Sequence, residues 1–107
     1  MVQISLIIPV FNGELYIEKC LISCLNQNIE SSHYEIVIIN DGSTDRTANI
    51  IDKFKSHSHL KFCNLQENLG LGEARNIGLK YASGKYVWFI DSRPLELHQK
   101  NMYLKTV

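Results

Sequence analysis

The sequence has no surplus of either charge: 11 Lys and Arg stand against 11 Asp and Glu in 107 residues. Without a basic excess it lacks the broad attraction on which general nucleic-acid binding depends, and its cations are scattered rather than gathered in a patch. Cysteine is scarce as well. Cys20, Cys24 and Cys63 make an odd count without zinc-ligand spacing, which argues against a secreted disulfide framework and for reduced thiols. No apolar run is long enough to span a membrane. The amino-terminal stretch through Pro9 has no basic start and is too short for a signal peptide, so a cytoplasmic location is expected, with no nucleic acid as partner. Phosphate loops are also missing. No Gly precedes Lys-Ser or Lys-Thr, which removes a Walker nucleotide-binding loop, and Gly70-x-Gly72 has Arg75 where a dinucleotide fingerprint needs its third glycine.

What is present is a chain 45% apolar. At this length a domain buries roughly 65% of its unfolded surface, enough for one core. Ile4 to Ile8 is almost wholly apolar and β-branched and stops at Pro9, the pattern of a strand covered on both faces. Asn12 is placed to cap a helix whose apolar stripe runs Ile17, Cys20, Leu21, Cys24 and Leu25. Tyr34 to Ile39 is a second buried strand, and turn-rich Asn40 to Asp45 leads into a helix that turns Thr47, Ile50, Ile51 and Phe54 inward and ends near Ser56. A shorter strand, Leu60 to Leu65, suits either an edge or an interior place. A helix from Gly72 to Ala82 and a strand from Tyr86 to Ile90 complete a βαβαβαβ alternation, which implies an α/β fold with a mostly parallel sheet sandwiched between helices. Beyond Ser92 no period is firm, and a helix from about Leu95 is only weakly indicated.

In a doubly wound sheet, ligands bind beyond the carboxyl ends of the strands, where strand order reverses. With the order 3-2-1-4, that edge gathers Pro9 to Asn12, Asp41 to Ser43, Asn68 to Gly72 and Asp91, so that two carboxylates and two helix starts meet in one crevice. Such an edge suits a nucleotide: an acid after the second strand accepts from a ribose hydroxyl or base N–H, and backbone amides take up phosphate charge. Asp41 in Asp-Gly can also be a plain turn residue, and Asp91 a cap. Arg75, one turn into the third helix, can reach a pyrophosphate or pair with Glu73 or Asp91. His57-Ser58-His59 could chelate a metal from an extended segment, yet it lies on the amino-terminal side of the sheet, where loop histidines usually meet solvent, and Cys20 and Cys24 share the apolar face of a helix, which favours packing over ligation.

Ser5 to Asn12, Glu35 to Asp45, Asn68 to Gly78 and Gly84 to Asp91, taken in order, resemble the inverting glycosyltransferases of family 2. The resemblance implies the Rossmann-like GT-A fold and a UDP-sugar as partner. It further implies that Pro9, Phe11 and Asn12 border the uridine, that Asp41 accepts from the uracil N–H, and that Arg75 lies near the nucleotide. Asp91 would open an Asp-x-Asp motif that holds Mg²⁺ or Mn²⁺. Asn40 departs mildly from the pattern, since an acid is common there. Arg93 departs more, because it stands where the second aspartate is expected. A cation there repels a divalent ion, so weak metal binding is expected; a direct guanidinium contact to phosphate is the disfavoured rescue. Residues 92–107 do not resemble the family. The expectation is therefore a truncated enzyme: residues 1–91 form the nucleotide-sugar-binding half and residues 92–107 an atypical tail. No catalytic base is identified, transfer is not expected from this chain alone, and the face left bare is expected to drive self-association. The alternative is a non-catalytic module that binds a nucleotide or a partner subunit. A flavodoxin-like signalling domain fits less well, since Gly42-Ser43-Thr44 argues for nucleotide contact.

Overall fold

The computed structural model describes residues 2–26 and 33–93, together with the backbone of 101–104. Five strands form one sheet in the order β3-β2-β1-β4-β5: β1 (Ile4–Val10), β2 (Tyr34–Asn40), β3 (Leu60–Asn64), β4 (Tyr86–Phe89) and β5 (Asn101–Leu104). The first four run parallel, and β1 lies at the centre with Ile7 in register with Val37 on one side and Phe89 on the other. The predicted order and the α/β architecture are therefore those observed.

Side-chain alternation sorts the sheet's apolar residues onto two faces. On one face Leu6, Ile8, Val10, Ile36 and Ile38 pack against α1 (Ile17–Leu25) and α2 (Thr47–Asp52), which bury Ile17, Cys20, Leu21, Cys24 and Ile51. On the other, Ile7, Val37, Ile39 and Val87 pack under α3 (Leu71–Tyr81). Each such aliphatic side chain contributes roughly 1.5–3 kcal/mol by leaving water, so the strands cannot slip register without exposing the core. Gly78 sets how closely α3 approaches: a Cβ there would stand 2.5 Å from Ile7 Cγ2.

Three expectations change. Asn12 does not cap α1, which starts five residues later at Ile17; Asn12 takes a left-handed φ of 51° and turns its side chain to a neighbouring loop. The helix expected to end near Ser56 is regular only to Asp52, and a run of turns follows. At 101–104 the chain is a strand, not a continuation of the helix expected from about Leu95; residues 94–100 lie outside the described residues. Antiparallel pairing of β5 with β4 satisfies backbone groups that β4 would otherwise leave open, a tertiary gain invisible to local periodicity. Among the described residues no helix is long and apolar enough to cross a membrane.

Candidate functional site

The carboxyl ends of β1, β2 and β4 and the start of α3 enclose a cleft of about 330 Å³. Pro9, Phe11 and Tyr16 form one wall, Asn68, Gly70 and Leu71 another, Asp41 the floor, and Asp91, Ser92 and Arg93 the third side. A cavity of this size with a mainly apolar lining and a few convergent polar groups is the usual form of a small-molecule site.

Asp41 is wholly buried and ties the floor together. Its Oδ1 accepts from the Leu69 N–H at 2.8 Å, and its Oδ2 from the Gly70 N–H at 3.0 Å and the Asn68 amide at 3.2 Å. The same Asn68 amide reaches the Asp41 carbonyl at 3.1 Å. Gly42 makes this closure possible, since at its φ of +69° a Cβ would lie 2.4 Å from the Asn68 nitrogen. The acid thus fixes the chain just before α3, whose first residue, Leu71, lines the cleft.

Behind the cleft wall the β1–α1 and β2–α2 loops are stitched together. The Asn12 N–H donates to Ser43 Oγ at 2.9 Å and Asn12 Oδ1 accepts from the Thr44 N–H at 2.8 Å. Gly13 donates its N–H to Thr47 Oγ1, and Asp45 accepts from the Thr47 N–H and hydroxyl and from the Glu14 N–H. Burial works to raise the Asp45 carboxyl, but these hydrogen bonds outweigh it and hold the group below its ordinary value.

Asp91 and Arg93 form a closed pair on the third side. Arg93 Nε donates to both Asp91 oxygens at 2.9 Å, Nη2 donates to Oδ2, and the Arg93 backbone N–H donates to Oδ1 at 2.9 Å. Hydrogen bonding and charge attraction to Asp91 raise the guanidinium above its ordinary value. Hard cations seek several oxygen ligands, usually with one or two carboxylates, whereas both cleft carboxylates here are engaged by donors of the chain itself. Among the described residues no group of three or more His, Cys, Asp and Glu is placed to hold an ion.

Of the residues singled out in the sequence, Pro9, Phe11, Asp41 and Asp91 line the cleft, whereas Asn12 and Arg75 do not. Arg75 is exposed on α3, and Asp91 pairs with Arg93 rather than with it. Tyr16 and Ser92 were missed. The sequence offered only their nearness to Asn12 and Asp91, since neither belongs to a patterned segment. The paired histidines lie away from the cleft: His59 packs edge-on to Tyr34 with centroids 5.0 Å apart, and burial, reinforced by His57, lowers its basicity.

A model of the family described as Glycosyl transferase family 2 matches residues 5–92. The chain belongs to glycosyltransferase family 2. It is 46% identical over 90 residues to glycosyltransferase GlyA of Streptococcus pneumoniae, an alignment covering 84% of this chain and 13% of GlyA. Among solved structures, Staphylococcus aureus TarS 1–349 in complex with UDP-GlcNAc matches with a TM-score of 0.80 and 38% identity, over 85% of this chain and 26% of that one. The mannosyltransferase PcManGT of Pyrobaculum calidifontis, in complex with GDP-Man and Mn²⁺, matches with a TM-score of 0.79 and 25% identity, over 84% of this chain and 27% of that one. This family 2 chain thus has the GT-A fold of its solved relatives and spans about a quarter or less of the length of each of these proteins.

Proposed function

We propose that the cleft holds a nucleoside diphosphate sugar, a UDP-sugar in the first instance, as the donor half of an inverting glycosyltransferase acting on a hydroxyl acceptor. The observation that carries this reading is that the polar groups converge at the carboxyl edge of a fold shared with proteins solved holding UDP-GlcNAc and GDP-Man. In this reading residues 1–91 form the donor-binding half, Ser92 and Arg93 join them in lining the cleft, and the rest of residues 92–107 is a tail; the cytoplasmic location belongs to the same proposal.

Pro9 and Phe11 border the base, and Phe11, 40% exposed, offers a ring on which uracil can stack. Asn12 supports that wall from behind through Ser43 and Thr44. A carboxylate has about four acceptor positions, of which Asp41 uses three, so one position on Oδ1 is left for the uracil N–H. Water does not reach this carboxylate, so a base that contacts it has to shift residues 68–70. Arg75, exposed on α3 outside the cleft lining, would have to swing inward to touch the nucleotide, and Asp91 stands on the phosphate side through its pair with Arg93.

One observation favours a second reading, a module that binds a donor without chemistry. Inverting transfer needs a base to deprotonate the acceptor hydroxyl, yet Asp41 and Asp91 are both committed to donors of the chain. We therefore propose that these 107 residues alone bind a donor without transferring its sugar. Self-association through apolar surface stays part of this proposal, and a strictly monomeric profile in sedimentation would count against it.

Thermal protection tests the site. UDP is expected to raise the melting temperature more than ADP or NAD does. Phe11→Ala should weaken UDP binding without lowering the melting temperature of the unliganded chain, since Phe11 sits on the rim. Equal protection by all three nucleotides would remove the reading.

A further inference from the structure

The third side of the cleft carries an arrangement that the donor-site reading leaves unexplained. Asp91 is not open to a cation: its two oxygens receive Nε–H and Nη2–H of Arg93, and Oδ1 also receives the Arg93 backbone N–H. An incoming ion would have to displace a bidentate guanidinium and a main-chain donor together. The other cleft carboxylate, Asp41, is buried beneath three donors from residues 68–70 and cannot complete a coordination shell. The guanidinium itself is not used up. Of its five N–H groups, two face Asp91, while both on Nη1 and one on Nη2 have no hydrogen-bond partner among the described residues. Its side chain is 57% exposed and lines the cleft.

We propose that Arg93 is itself the cation of this site, bridging Asp91 to the diphosphate, so that the chain binds a nucleoside diphosphate without a divalent metal. The inference rests on the donor-site reading and reverses the expectation that a guanidinium contact to phosphate is disfavoured. Two facts make the geometry suitable. The planar fork can use one edge for the carboxylate and the other for phosphate oxygens, and Asp91 fixes its orientation before a ligand arrives. The pair is also formally neutral, so a diphosphate meets a positive edge without crossing a bare carboxylate field. Gly70 and Leu71, at the start of α3, line the same cleft.

Isothermal titration with UDP, once in excess EDTA and once in excess MnCl₂, tests this. For the natural sequence the two dissociation constants should agree within about twofold, the resolution of the comparison. Arg93→Ala should weaken UDP binding in EDTA by roughly tenfold to a hundredfold, the scale of losing hydrogen bonds to a charged group. Binding of uridine, which has no phosphate, should not change in that variant. Arg93→Asp should make UDP binding depend on Mn²⁺. Because Arg93 is exposed and its side-chain hydrogen bonds among the described residues go to Asp91, both variants should fold, and a circular dichroism melt checks this. Tightening of the natural chain by tenfold or more in Mn²⁺, or unchanged affinity of Arg93→Ala in EDTA, overturns the inference and leaves the donor site standing. Failure of UDP to bind the natural chain under either condition removes both.

Discussion

The two ends of the sheet treat their acids differently. At the amino end Glu35, buried within β2, receives Ser5 Oγ–H at 2.5 Å, the Ser83 N–H at 2.6 Å, Ser83 Oγ–H at 3.0 Å and Lys61 Nζ at 2.9 Å. Ser5 in turn accepts from the Gly84 N–H, so β1, β2, β3 and the entry to β4 are bolted at one point. At the carboxyl end Asp91 is served by a residue two positions away, at the side of a cleft. An acid satisfied from several strands locks the fold, and nothing remains for a ligand to replace. An acid paired locally beside a cavity leaves its partner's outer edge available. Burial alone does not separate the two kinds, since Asp41, at the carboxyl end, is as hidden as Glu35. Asp41 stands between them: its donors come from residues 68–70, far away in the chain, yet Asn68 and Gly70 themselves line the cleft.

If this contrast is right, the amino end should dominate stability. Glu35→Ala leaves the Ser5 hydroxyl and the Ser83 N–H without their acceptor, while Lys61, half-exposed, keeps the Tyr81 carbonyl, and urea denaturation should show a loss of about 3 kcal/mol with little effect on UDP affinity in the folded fraction. An affinity that falls with stability would break the division. Gly42→Ala sharpens it from the other side. A side chain at φ +69°, driven against the backbone of residues 67 and 68, should cost about 1–3 kcal/mol, and the larger consequence should be a collapsed cleft, read as lost protection by UDP.

The smallest effect concerns acid. Burial raises the Glu35 carboxyl, but bonds from Ser5, Lys61 and Ser83 outweigh it and set the folded-state value below the ordinary 4.5. The group therefore adds stability above about pH 4.5 that is lost as pH falls through its lowered folded value. Melting curves of the natural chain should decline more steeply below that pH than those of Glu35→Gln. Parallel declines would mean that Glu35 is not the acid-sensitive bolt.

Much of this was legible in the chain. Largely apolar runs ending at Pro9, Asn40 and Asp91 announce buried parallel strands, and that alone puts Asp41 and Asp91 on one edge. The rest depends on contacts between distant segments. Asn12 has the composition of a helix cap, and its bond to Thr44, 32 positions away, cannot be read from local spacing. Glu35 looked like one more residue of a buried strand, because its partners lie on other elements. Arg93 was legible as an odd residue near Asp91, but its chemical sense was not: a lone cation reads as repulsion to a metal, whereas the folded turn makes it a partner. β5 left no pattern because its pairing with β4 carries no local period.

The stitches around the cleft have a kinetic consequence. The bonds from Asn12 to Thr44 and from Leu69 to Asp41 span 32 and 28 positions. Helix content can return during refolding through contacts a few residues apart, but the floor exists only after β2 has met the chain preceding α3. Recovery of ligand competence after dilution from denaturant would then trail the far-ultraviolet signal, and the binding pocket would serve as a clock for the final closure of the chain.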